Sequence, residues 1–174
     1  MEYLRNQLFC EDLVIEILKS IGRTWEPEQG LTIIRNELDS STFEKQIGKA
    51  VFLLIQKFVD DVNYCYEELL SIEAMESAEA FAKYAIKAAL LYFPEGYTHA
   101  SFLSYCAIVI GVAVMDVTLP GKYTLDRAAQ VIALVLSSYQ LSGQFWKVGG
   151  WYGIQQASAF LVERMRDVEQ VTRL

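Results

Sequence analysis

The sequence predicts an all-α bundle of seven or eight helices around a central apolar helix hairpin. Three observations carry that prediction. Apolar residues recur at helical spacing along nearly the whole chain. No segment alternates polar and apolar residues long enough to make a convincing strand, and no internal repeat is visible. Residues 102–115 (FLSYCAIVIGVAVM) carry no charge and have no polar stripe wider than Ser104. A helix apolar on every face must be enclosed by others, and the remaining helices are one-sided enough to do it.

The elements follow in order. Residues 3–21 place Leu4, Leu8, Leu13, Ile17 and Ile21 on one face with acids between, and Gly22 ends the helix. Residues 23–30 (RTWEPEQG) read as a loop. Ser41 and Glu44 are spaced as a capping box for a helix that reaches about Val59. Residues 60–73 hold a smaller helix. Ser77 opens an Ala-rich helix ending near Phe93, because Pro94 pushes its predecessor out of helical geometry. Thr98 caps the apolar helix His99 to Val117. Pro120-Gly121 makes a turn, and Thr124-Leu125-Asp126 starts the second arm of the hairpin, which runs to Tyr139. Gly149-Gly150 breaks the chain before a last amphipathic helix, Ile154 to Met165.

Composition narrows the function. A chain of 174 residues suits one domain, 1–174, and 53% hydrophobic residues supply its core. A net charge of -7 repels phosphate backbones and argues against a nucleic-acid partner. Cys10, Cys65 and Cys106 form no C-x-x-C, which speaks against a disulfide framework or a zinc site and for a reducing, cytoplasmic setting. The N-terminus lacks the pattern of a signal peptide. The apolar run of residues 102–115 is shorter than the ~20 residues of a membrane span. The polar ending ERMRDVEQVTRL predicts no C-terminal membrane anchor and no integral membrane segment. There is no Gly-rich phosphate loop, and His99 is the only histidine, so no enzyme, no metal and no cofactor is expected.

Three segments resemble motifs of the Bcl-2 family of apoptosis regulators. Leu13-Val14-Ile15-Glu16-Ile17-Leu18-Lys19 is similar to the motif of the family's N-terminal helix. Phe93 to Ser101 lies ungapped on the pattern F-x-x-G-x-N-W-G-R: Phe93 and Gly96 match, and Thr98 keeps a capping residue in place of Asn. His99, Ala100 and Ser101 replace Trp, Gly and Arg. Trp146-Lys147-Val148-Gly149-Gly150-Trp151 resembles W-x-x-x-x-G-G-W, two residues tighter. In Gln46-Ile47-Gly48-Lys49, Gly48 matches a further family motif while Lys49 replaces its acid. These departures are most like those of divergent viral members.

The resemblance implies a surface groove that accepts the amphipathic helices of pro-apoptotic family members, so that the chain inhibits apoptosis by sequestering them. Carried over by position, the groove is lined by Val51, Phe52, Ile55 and Val59, by Ala88, Tyr92 and Phe93, and by Ser101, Leu103, Ser104, Tyr105 and Ile108. The setting implied is the cytoplasm of an infected host cell and the surface of its mitochondrial outer membrane. Two alternatives stay open: a pore-forming pro-death member, or a signalling modulator of this fold acting as a homodimer through exposed aromatics; Tyr64, Tyr66 and Trp146 offer spare aromatic surface for a dimer that also binds peptide.

Single residues carry competing readings. Ser101 in place of Arg either narrows the range of partners or simply serves the helix start. His99 is read first as a cap-region residue filling the Trp site, and second as a pH-sensitive contact at the groove rim. Trp151 is read as packing, while Trp146 stays open between packing and an interface. Cys65 is read as a small hydrophobe rather than a reactive thiol, and Glu67 to Glu79 as a solvated acidic face.

Overall fold

The uncharged segment makes up all but the start of one helix, and the other described helices are arranged around it. The computed structural model describes residues 2–28, 35–37, 42–116 and 121–172. Among these residues the helices are α1 (Glu2–Ser20), α2 (Lys45–Lys57), α3 (Val59–Ser71), α4 (Ala78–Tyr92), α5 (His99–Met115), α6 (Gly121–Leu141), α7 (Gln144–Lys147) and α8 (Gly150–Thr172). Residues 35–37 are helical, and no strand occurs among the described residues.

Every residue of α5 from Tyr105 to Ala113 is buried, together with His99, Phe102 and Leu103. Helices α2, α3, α4, α6 and α8 all pack against it. Each large aliphatic side chain enclosed there contributes about 1.5–3 kcal/mol of gross transfer energy. The amphipathic α1 covers α2 and α6. Inside the α1–α6 seam, the buried Asn6 Nδ2 donates to Ser137 Oγ at 2.8 Å and to Gln140 Oε1 at 2.6 Å. Arg35 bridges Asp12 at 2.5 Å and Glu11 at 3.4 Å, tying residues 35–37 to α1. Burial raises the Glu11 carboxyl pKa, while Gln7 and Arg35 pull it back.

Several boundaries differ from the sequence expectation. Helix α2 begins at Lys45, with Glu44 at the N-cap making no side-chain cap bond, so Glu44 does not close a capping box; Ser41 lies outside the described residues. Residues 59–71 form a full helix, separated from α2 by Phe58 alone. Gly121 is the first residue of α6 rather than part of a turn, and Pro120 lies outside the described residues. Thr124 does not start α6 but is buried in its first turn, where its Oγ1 donates to Asp116 Oδ2 at 2.7 Å. Helix α8 starts at Gly150, four residues before the expected Ile154, and takes Trp151 into its first turn. Other ends agree closely. Ser77 caps α4 by accepting from the Ala80 N–H, and Gly22 follows α1 with Arg23 N–H bonded to Leu18 O at 2.9 Å.

Candidate functional site

Two neighbouring regions hold the residues singled out by motif and by groove position. The first is the corner where the α4–α5 connection meets α7 and the start of α8. Gly96 has φ +100, a backbone conformation that favours glycine, and a Cβ there would lie 2.6 Å from Gln144 Oε1. That oxygen accepts the Tyr97 N–H at 2.9 Å, tying the connection to α7. Thr98 caps α5 by accepting the Ser101 N–H at 3.0 Å.

His99 is buried and bonded at both ring nitrogens. Its Nε2 lies 3.1 Å from Val148 O and its Nδ1 lies 3.0 Å from Tyr97 Oη. A carbonyl only accepts, so Nε2 carries the proton and Nδ1 accepts the Tyr97 hydroxyl. Burial lowers the His99 pKa below its ordinary value, against the pull of the Val148 carbonyl. Around it the rings of Phe93, Tyr97, Tyr139 and Phe145 lie 4.9–6.0 Å apart in successive contacts. Trp151 packs on Phe145 at 5.2 Å and on Phe9 of α1 at 5.0 Å. Trp146 remains 48% exposed, and its ring lies over Gly150, where a Cβ would come within 2.8 Å of it. The motif residues Gly96, Thr98, His99, Gly149, Gly150 and Trp151 therefore hold α5, α7 and α8 together, and His99 does not lie on a groove rim. Ala100 is exposed beside them.

The second region is an open cleft of about 590 Å³ bounded by α3, the end of α4 and the start of α5. Phe58 and Asp61 form one wall, Leu91, Tyr92 and Pro94 the other, and Ala100, Ser101, Ser104 and Ile108 the floor. It does not run on past α2 as one trench. Helix α3 crosses α5 at Gly111, where a Cβ would lie 3.0 Å from Val62 Cγ2. On the far side of that crossing lies a separate pocket of about 140 Å³ with an almost wholly apolar lining, including Phe52, Ile55 and Val59.

The twelve residues expected in one groove are thus divided. Tyr92, Ser101, Ser104 and Ile108 meet in the larger cleft. Phe52, Ile55 and Val59 meet in the smaller pocket. Val51, Phe93, Leu103 and Tyr105 are corrected to core positions: they are buried, and Tyr105 Oη donates to Ala85 O at 2.7 Å. Ala88 is half-buried against the core. Phe58, Asp61, Leu91 and Pro94 line the cleft without having been expected there. The run Leu90-Leu91 was the available signal, since two adjacent leucines at a helix end cannot both face inward; they are 78% and 80% exposed.

Among the described residues, Asp61 is the only charged side chain lining the cleft. Burial, then Cys65 and Asp61, push the Tyr92 hydroxyl up to about 12, so it remains a neutral donor at physiological pH. Burial and the carboxylates of Glu68 and Asp61 also raise the Cys65 thiol, which keeps it protonated and unreactive. Glu67, Glu68, Glu73, Glu76 and Glu79 are exposed; Glu68 accepts from Tyr84 Oη at 3.3 Å and Glu79 pairs with Arg127 at 2.7 Å. The lining offers apolar walls, two serine hydroxyls, a phenol and one carboxylate, which is a surface for holding a partly apolar ligand.

No family model, no curated protein and no solved structure matches the chain. Among the described residues no helix is long and apolar enough to cross a membrane. None of their His, Cys, Asp and Glu side chains form a group that would hold a metal ion.

Proposed function

We propose that the chain inhibits apoptosis by binding the amphipathic helix of a pro-death protein, of the kind the Bcl-2 family recognises, in the cleft between α3 and the α4–α5 corner. The observation that carries this reading is the cleft itself, open beside the strongly exposed Leu91 on its wall. A large apolar side chain held in water beside a concave, partly apolar surface favours an amphipathic partner. The enclosed apolar α5 and the corner built from Gly96, Thr98 and the Gly149-Gly150-Trp151 segment support the family resemblance. In this role the protein works in the cytoplasm and at the surface of the mitochondrial outer membrane of an infected cell.

Calorimetric titration of the full chain with a panel of synthetic pro-death helices tests the reading, with amide NMR shifts to place the ligand. Micromolar or tighter binding, with shifts at Leu91, Ser101, Ser104 and Ile108, is expected. Absence of binding across the panel, or shifts confined to α1 and α6, overturns it. Protection of liposomes from an activated pore-former is expected as well; release of their contents by the chain itself favours the pore-forming alternative.

A second reading, a homodimer that modulates signalling, is favoured by a different face. Tyr3, Ile86 and Leu134 are 41–49% exposed around a cleft of about 390 Å³ between α1, α4 and α6. Sedimentation of the pure protein with and without peptide separates the two readings. A dimer indifferent to every peptide supports the second.

A further inference from the structure

We propose that the cleft selects a helix whose polar edge is basic, with an arginine or lysine meeting Asp61 where the apolar anchors meet Phe58, Leu91 and Ile108. This rests on the helix-binding reading above and adds the charge of the partner.

The argument is electrostatic and local. Asp61 is the sole charged lining residue, and no ion pair satisfies it among the described residues. Its place in the first turn of α3 accounts for an acid being tolerated there. That place alone does not account for its standing on the wall of a cleft whose other lining residues are uncharged. Across the cleft floor, Ser101 and Ser104 bring hydroxyls and no cation. The surroundings deepen the asymmetry: residues 58–82 contain seven Asp and Glu and no Lys or Arg. The nearest cation in sequence before them, Lys57, holds its ammonium 5.6 Å from the centre of the Phe58 ring and is not part of the lining.

An approaching helix therefore meets a negative field from α3 and its flanks, which accelerates a basic ligand and slows an acidic one. Once docked, a partly desolvated carboxylate left without a counter-charge weakens binding, and a guanidinium or ammonium restores it. An acidic side chain at the same place adds like-charge repulsion.

The test uses the full chain and three series of amphipathic helical peptides. They share the same apolar anchors and carry Arg, Ala or Asp at successive positions along the polar edge. At one position the Arg peptide is expected to bind about two- to fivefold more tightly than the Ala peptide, and the Asp peptide less tightly. The Arg advantage is expected to shrink as ionic strength rises and to vanish in D61N, whose thermal unfolding should match the parent. If the peptides bind in the cleft, shown by about tenfold weaker binding in Leu91→Ser, yet no position prefers Arg, the charge proposal fails and the helix-binding reading stands. An Arg preference that survives in D61N also overturns it. If no peptide binds, both fail together.

Discussion

The aromatic corner and the α3–α4 cleft lie on either side of the first turn of α5, and both are rich in large apolar residues. At the corner, the protein's own rings fill the space: Phe145 is fully buried and touches Tyr97, His99, Trp146 and Trp151. At the cleft, the comparable residue Leu91 stands 80% exposed. The difference lies in the partners available. The corner receives α7 and α8, which return to it through Gly149 and Gly150, whereas nothing from the chain's described residues returns to cover α3 and the end of α4. Apolar content alone does not separate packing from binding surface; the route of the chain does.

The comparison breaks most readily at Phe145. Phe145→Ala should cost about 3–5 kcal/mol of stability in chemical denaturation, since it empties a site enclosed by four rings. A loss under about 1 kcal/mol would mean that the corner is loosely packed and no different in kind from the cleft.

Gly96→Ala should cost about 1–3 kcal/mol, because φ +100 is strained for alanine and the Cβ collides with Gln144 Oε1. Replacing Gln144 by alanine as well should recover only the steric part, which a double-mutant cycle reads directly.

His99 sharpens the contrast through pH. Its folded pKa lies below the unfolded value, so at pH above 6.5 the ring is neutral in both states and nothing is lost. As pH falls below 6.5, the unfolded chain takes up a proton that the folded corner resists, and stability drops. His99→Gln should flatten this part of the stability profile, and a wild-type profile with no fall there would contradict the buried, doubly bonded ring. Glu11 acts in the opposite sense: its raised pKa makes its contribution fall as pH rises through the carboxylate range.

The smallest effect on folding belongs to the cleft. Leu91→Ser should change stability by less than about 0.5 kcal/mol, since the side chain is already 80% exposed. The same substitution should weaken helix binding about tenfold, through loss of one apolar anchor. A variant that destabilises the fold but leaves binding intact would reverse the assignment of the two regions.

Much of the helix order was legible in the residues. Ser77, Thr98, Gly22 and Pro94 mark their helix ends by local backbone chemistry, and that chemistry needs no distant partner. The groove was legible only in part. Tyr92, Ser101, Ser104 and Ile108 do face one cleft, but Val51, Leu103 and Tyr105 share their helices and face the core. Helical spacing specifies which residues share a face; it does not specify how close a neighbouring helix comes. Asp61 and Leu91 were missed for the same reason, since an acid and a leucine on exposed helix faces are ordinary until a second wall stands opposite.

By itself, then, the amino-acid order determined an all-helical chain with one helix obliged to be enclosed, because an uncharged segment apolar on every side has no other low-energy place. Only the tertiary structure decided where the enclosure stops. The approach of α3 to α5 at Gly111 divides the expected trench, and the return of α7 and α8 fills one end while leaving the other open. Those outcomes depend on side-chain volumes meeting across sequence separations of tens of residues, where local propensity and periodicity exert no control.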